Sequence, residues 1–137
     1  MCGFAGQVRL DGLAADAAAV ERACERLAHR GPDDAGRWAD GPAALGFRRL
    51  SILDLEHGAQ PMRSEDGRYA VVFNGEIYNH PALKAELESG GARYKTRSDT
   101  ETVLRLCARD GAAAEARLDG MFAFALWDAQ KRELTLA

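Results

Sequence analysis

"MFAFALWD" (121–128) is apolar at every position except the last. Strand side chains alternate between two faces, so a segment apolar on both has no side to give to water and reads as a fully buried interior strand. "AQKR" (129–132) follows as a turn, and "ELTLA" (133–137) alternates as the returning arm of a hairpin. That arm stops with no cap, turn or polar tail, so we expect the chain to be the front part of something longer.

Upstream, "RYAVVFNGEIYNH" (68–80) reads as a strand running into a turn. Val71 and Phe73 share one face, and Ala70, Val72 and Asn74 the other. "HPALKAELESGG" (80–91) gives a short helix with Leu83 and Leu87 on one side and Gly90 or Gly91 past its end. "SDTETVLRLCARDG" (98–111) gives a second, with Val103, Leu106 and Cys107 as a stripe and Gly111 as the stop. "ARYKT" (92–96), between them, can form a brief strand.

At the front, "CGFAGQVRL" (2–10) reads as a strand. "LAADAAAVERACERLAHR" (13–30) is Ala-rich and helical, with Val20, Cys24 and Leu27 on one face. "HRGPDDAGRW" (29–38) reads as a loop punctuated by Gly31, Pro32 and Gly36. "AALGFRRLSILDL" (43–55) is extended, with Leu45, Phe47 and Arg49 on one face and Gly46, Arg48 and Leu50 on the other. Strands, helices and strands again, with hairpin-like connections, argue for an α+β sandwich of mainly antiparallel sheet rather than a doubly wound parallel fold.

A chain of 137 residues suits one domain able to bury its own core. Its net charge of -3 offers no basic excess for nucleic acid. No apolar run reaches the roughly 20 residues of a membrane span. Three cysteines and no apolar leader suggest a reducing cytoplasm. The cysteines and histidines (Cys2, Cys24, Cys107, His29, His57, His80) show no metal-ligand spacing, so no metal site is expected. Cys24 and Cys107 on helix stripes, and Trp38, Phe122, Phe124 and Trp127, read as packing residues.

Four features can carry chemistry. Cys2 follows a removable methionine; once Met1 is trimmed, thiol and α-amine share one residue, and an amine titrating near 7.7–8.0 can serve as the base for its own nucleophile. The alternative is a buried strand cysteine. Asn74-Gly75 is a turn signal, yet a side-chain amide beside a glycine N–H can also supply two converging donors to an oxyanion. Arg48, on the small-residue face, reads as solvated. Arg49 shares its face with Leu45 and Phe47 and calls for an anion, either a structural carboxylate or a bound one. Ser98-x-x-Glu101 is a capping box with Asp99 in the first turn, which leaves Asp99 free to face an ammonium as well.

Seven blocks in order, "MCGFAG", "HRGPDDAG", "RRLSILDL", "GAQPM", "VVFNGEIYN", "SDTE" and "GMFAFALWD", together resemble the glutaminase domain of glutamine-dependent asparagine synthetase. That family belongs to the class II glutamine amidotransferases, which are N-terminal-nucleophile hydrolases. The resemblance covers residues 1–137 and implies a four-layer αββα sandwich, incomplete at its C-terminal end. It implies that Cys2 attacks the glutamine amide and forms a thioester, and that Asn74 and Gly75 hold the oxyanion. Arg49 would bind the α-carboxylate and Asp99, with Glu76, the α-ammonium; Leu50 and Ile52 complete the glutamine-binding set. No cofactor is expected for this half. ATP and Mg belong to a C-terminal synthetase domain that would receive the ammonia, and a homodimer of the full-length protein is compatible with the resemblance. Ammonia supply to a different amidating synthetase, and a catalytically silent glutamine-binding module, stand as alternatives.

Overall fold

The computed structural model describes residues 2–50 and 58–137. Its strands are β1 (Gly3–Val8), β2 (Asp34–Asp40), β3 (Ala43–Arg49), β4 (Met62–Arg63), β5 (Tyr69–Ile77), β6 (Gly120–Asp128) and β7 (Glu133–Leu136). Its helices are α1 (Ala17–Arg26), α2 (His80–Ser89) and α3 (Asp99–Asp110), with two 3₁₀ turns before β6. The strands form two antiparallel sheets, ordered β1-β3-β2 (sheet A) and β4-β5-β6-β7 (sheet B).

The sheets face each other, and helices cover their outer sides, so the architecture is the expected αββα sandwich. Leu45 and Phe47 of β3 meet Ala70 and Val72 of β5 and Ala125 and Trp127 of β6 between the sheets. The opposite face of β5, Val71 and Phe73, packs under Leu83, Leu87, Val103 and Leu106 of α2 and α3. The period-two reading of 68–80 thus sorts residues into two different cores. On the far side, Val20 and Cys24 of α1 pack on Ala44. Full burial of one such aliphatic or aromatic side chain contributes about 1.5–3 kcal/mol, so these stripes dock the helices where propensity alone would not.

Three local expectations are corrected. The loop expected over 29–38 is a strand from Asp34 onward, paired with β3 along its whole length. Its Gly36 marks a close approach rather than a turn, since a Cβ there would lie 1.7 Å from the Gln60 carbonyl oxygen. "ARYKT" forms no strand. The amides of Lys95 and Thr96 donate instead to the Glu101 carboxylate, at 3.1 and 2.7 Å. Finally, β6 is buried only in its second half; Met121 is 68% exposed.

Sheet B is fastened at one end by a two-pronged ion pair. Arg68, just before β5, donates to both oxygens of Asp128 at the end of β6, at 3.0 and 2.6 Å. Those hydrogen bonds hold the Asp128 carboxyl down at about 2, against the burial that would raise it. Among the described residues, no helix is long and apolar enough to cross a membrane.

Candidate active site

A cavity of about 180 Å³ opens where the two sheets meet α3. Cys2, Arg49 and Leu50 reach it from sheet A, Asn74, Gly75 and Glu76 from β5, and Asp99 from the first turn of α3. Residues 72 and 97 positions apart in sequence therefore share one wall with the second residue of the chain. Ile52 lies outside the described residues.

Cys2 precedes β1 and is held from two sides. Its carbonyl accepts from Arg30 Nε at 3.1 Å, and its sulfur receives the Leu50 N–H at 3.4 Å. Cys24 and Cys107 are buried, and burial pushes both thiols up, Cys107 to about 11. They are packing residues, as their helix stripes suggested.

The two arginines separate as the strand period requires. Arg49 is 7% exposed and lies in the cavity wall at the end of β3. Arg48 is half-buried on the opposite face, where its Nε donates to the Gly31 carbonyl at 3.0 Å. The expectation of a solvated Arg48 is corrected: the chain before β2 folds over it.

Asn74-Gly75 is not a turn. Both residues lie inside β5, opposite Ala123 and Phe122 of β6. Gly75 has φ +152°, and a Cβ there would come within 2.3 Å of the Met121 carbonyl oxygen, so only glycine fits. The edge of β5 that faces away from β6 is instructive. Residues 71, 73, 75 and 77 present their main-chain groups on one side, by the alternation of an antiparallel strand. Val71 faces Met62 of β4. Phe73 is met by the Gln60 side chain, and the Ile77 N–H donates to Asp99 Oδ2 at 3.0 Å. Between them, the same alternation places the Gly75 N–H on this edge, and Gly75 lines the cavity.

Asp99 opens α3. Burial pushes its carboxyl above the ordinary carboxylate value, against the Ile77 amide and the nearby His80, so a cation beside it would be favoured. The capping box is half realised. Ser98 Oγ accepts from the Thr100 N–H at 3.2 Å. Glu101 does not reach back to the Ser98 amide, which donates to Thr96 Oγ1 instead. Glu101, 4% exposed, takes Arg105 and the 95–96 loop. Burial alone would raise its carboxyl; the bonds from Thr96, Lys95 and Arg105 outweigh that and hold it low.

The sequence reading did not single out Phe47, Gly58, Gln60, Phe73, Ser98 or Thr100 as cavity-lining residues. For Gln60 a signal was present: a polar residue in "GAQPM" with no turn or cap to explain it. A larger, open groove of about 1000 Å³ runs past β4 and α3. Two of its charge pairs are engaged, Lys95 with Glu65 and Arg105 with Glu101, and among the described residues no cysteine lines it.

The sequence profile of the glutamine amidotransferase domain family matches residues 1–137. Asparagine synthetase [glutamine-hydrolyzing] 1 of Bacillus subtilis is 43% identical over 131 residues, which are 93% of this chain and 21% of that protein. Asparagine synthetase B [glutamine-hydrolyzing] of Escherichia coli is 46% identical over 107 residues, 77% of this chain and 19% of that protein. The chain thus spans about a fifth of the length of these curated relatives. Among solved structures, the fold is similar to glutamine phosphoribosylpyrophosphate amidotransferase of Bacillus subtilis, with a TM-score of 0.74 at 23% identity. That match covers 94% of this chain and 35% of the other.

Proposed function

The chain belongs to the glutamine amidotransferase domain family, and on that premise we propose that it hydrolyses the side-chain amide of glutamine to glutamate and ammonia. The observation that carries this reading is the convergence of Cys2, Arg49, Asn74-Gly75 and Asp99 on one small cavity. Each supplies a contact that an amide with an α-amino acid end requires.

Cys2 Sγ attacks the amide carbon, forming the C–S bond while the thiol proton passes to the Cys2 α-amine. The oxyanion is held by Asn74 and the Gly75 N–H; one such donor is worth about 3 kcal/mol in the transition state. Collapse breaks the C–N bond, and the amine returns its proton to the departing nitrogen, releasing ammonia. The same amine then takes a proton from water as it attacks the thioester. The C–S bond breaks, the thiol regains its proton, and glutamate leaves. Arg49 meets the α-carboxylate, and Asp99, with Glu76, the α-ammonium; Leu50 flanks the glutamine. The base of this scheme exists only after Met1 has been cleaved.

The names of the relatives extend the proposal to the fate of the ammonia: delivery to a following asparagine synthetase domain in the cytoplasm. Intact mass before and after treatment with a glutamine-analogue electrophile tests the chemistry directly. The expected spectrum lacks Met1 and gains one adduct at Cys2, and Cys2→Ala gains none and loses glutaminase activity while staying folded. Glutamine hydrolysis persisting in Cys2→Ala overturns the assignment.

A further inference from the structure

We propose that Gln60 is a positioning residue for this reaction, its side-chain amide serving as one more rung between β4 and β5. The inference rests on the glutaminase reading. Gln60 Oε1 accepts the Phe73 N–H at 2.6 Å, and its Nε2 donates to the Phe73 carbonyl at 3.1 Å. The orientation of the amide follows from chemistry, because a flipped group would set donor against donor and acceptor against acceptor. Nε2 also donates to Thr100 Oγ1 at 3.3 Å.

The main chain of Gln60 cannot make this rung. Its carbonyl oxygen is turned against Gly36 of sheet A, where no side chain would fit. β4 itself pairs only with Ala70 and Val71. The side chain therefore completes the ladder at Phe73 and stops one residue pair short of Gly75. One residue thus touches sheet A through its backbone and sheet B and α3 through its amide.

What those contacts hold is the site. Phe73 immediately precedes Asn74, and Thr100 immediately follows Asp99. The rung fixes the oxyanion donors relative to the carboxylate proposed to grip the ammonium. Only a carboxamide of this length suits the position, since Phe73 presents one donor and one acceptor at once. An ionised carboxylate satisfies the N–H and faces the carbonyl with like charge.

Glutaminase kinetics of Gln60→Met and Gln60→Glu against pH test this, with folding checked by circular dichroism. Gln60→Met keeps the volume and loses both bonds; we expect kcat/KM for glutamine to fall on the order of 100-fold, the scale of a misplaced catalytic group. Gln60→Glu should fall similarly at neutral pH and recover toward wild type as the pH drops, because the neutral acid can again donate to the Phe73 carbonyl. Gln60→Met has no such limb. A Gln60→Met enzyme within about two-fold of wild type, or a Gln60→Glu deficit that does not change with pH, overturns the proposal. If Gln60→Met does not fold, the pH profile of Gln60→Glu decides. A wild-type protein without glutaminase activity overturns the glutaminase reading and this inference with it.

Discussion

The two outer layers of the sandwich are unequal. α1 covers sheet A with Val20 and Cys24 against Ala44. α2 and α3 cover sheet B with Leu83, Leu87, Val103, Leu104, Leu106 and Cys107 over Val71, Phe73, Phe124 and Leu126. The proposed nucleophile, Cys2, belongs to the thin side and is held by the Arg30 side chain and the Leu50 main chain. The proposed oxyanion donors, Asn74 and Gly75, and Asp99 belong to the thick side. A site split between a lightly and a heavily packed layer depends on what ties the two together, which is where Gln60 sits.

The widest difference should be in stability. Leu106→Ala, in the thick layer, is expected to cost about 3 kcal/mol, and Val20→Ala about half that, because two methyl groups are lost next to a small neighbour. Urea titration of both variants measures it; equal costs would mean that the layers are not unequal in energy. Next comes Arg49 against Arg48. Losing a charged hydrogen-bond partner costs about 1.5–3 kcal/mol, so Arg49→Ala should raise the KM for glutamine roughly 10- to 100-fold. Arg48→Ala, which loses only its bond to Gly31, should leave KM near wild type while lowering Tm. Equal KM effects would remove the distinction between the two faces of β3.

The smallest effect is the pH dependence of stability, and here two carboxylates of the thick side oppose each other. Asp128 is held at about 2 by Arg68, below its ordinary value near 3.8. Its contribution is present above that ordinary value and is lost as the pH falls from about 4 toward 2. Asp99 is raised by burial, so the folded state takes up its proton before the unfolded chain does, and acidification down to the ordinary carboxylate value near 3.8 adds stability, above the window in which Asp128 loses it. Tm against pH for Arg68→Met should therefore show a shallower acid loss than wild type, and Asp99→Asn a steeper one. Reversed slopes would contradict both directions.

How much of this was legible in sequence follows the same division. β5, α2 and α3 carry apolar periods that place Val71 and Phe73, Leu83 and Leu87, and Val103, Leu106 and Cys107 in one core. However, α3 also buries Thr100, Glu101, Thr102 and Leu104, which no apolar stripe announces. β2 was not: it lies at the edge of sheet A with mostly exposed positions, so no apolar alternation distinguishes it from a loop, and its strand character comes from pairing with β3. Asn74-Gly75 misled in the opposite way, because local turn preference lost to a nine-residue ladder with β6. The seven motif blocks marked Cys2, Arg49, Asn74, Gly75 and Asp99. The block "GAQPM" contains Gln60, but its contacts are visible only once Phe73 and Thr100 stand beside it.

The open edge of β5 also acts as a ruler. The Ile77 amide is committed to Asp99, and Gly75, two residues earlier on the same edge, lines the cavity. Two residues of strand span about 7 Å, a length set by backbone geometry and not by any side chain. Under the proposed roles, that span separates the strand's hold on the ammonium-binding carboxylate from its donor to a side-chain oxygen. Part of the spacing of the site would then be written into the pitch of a strand.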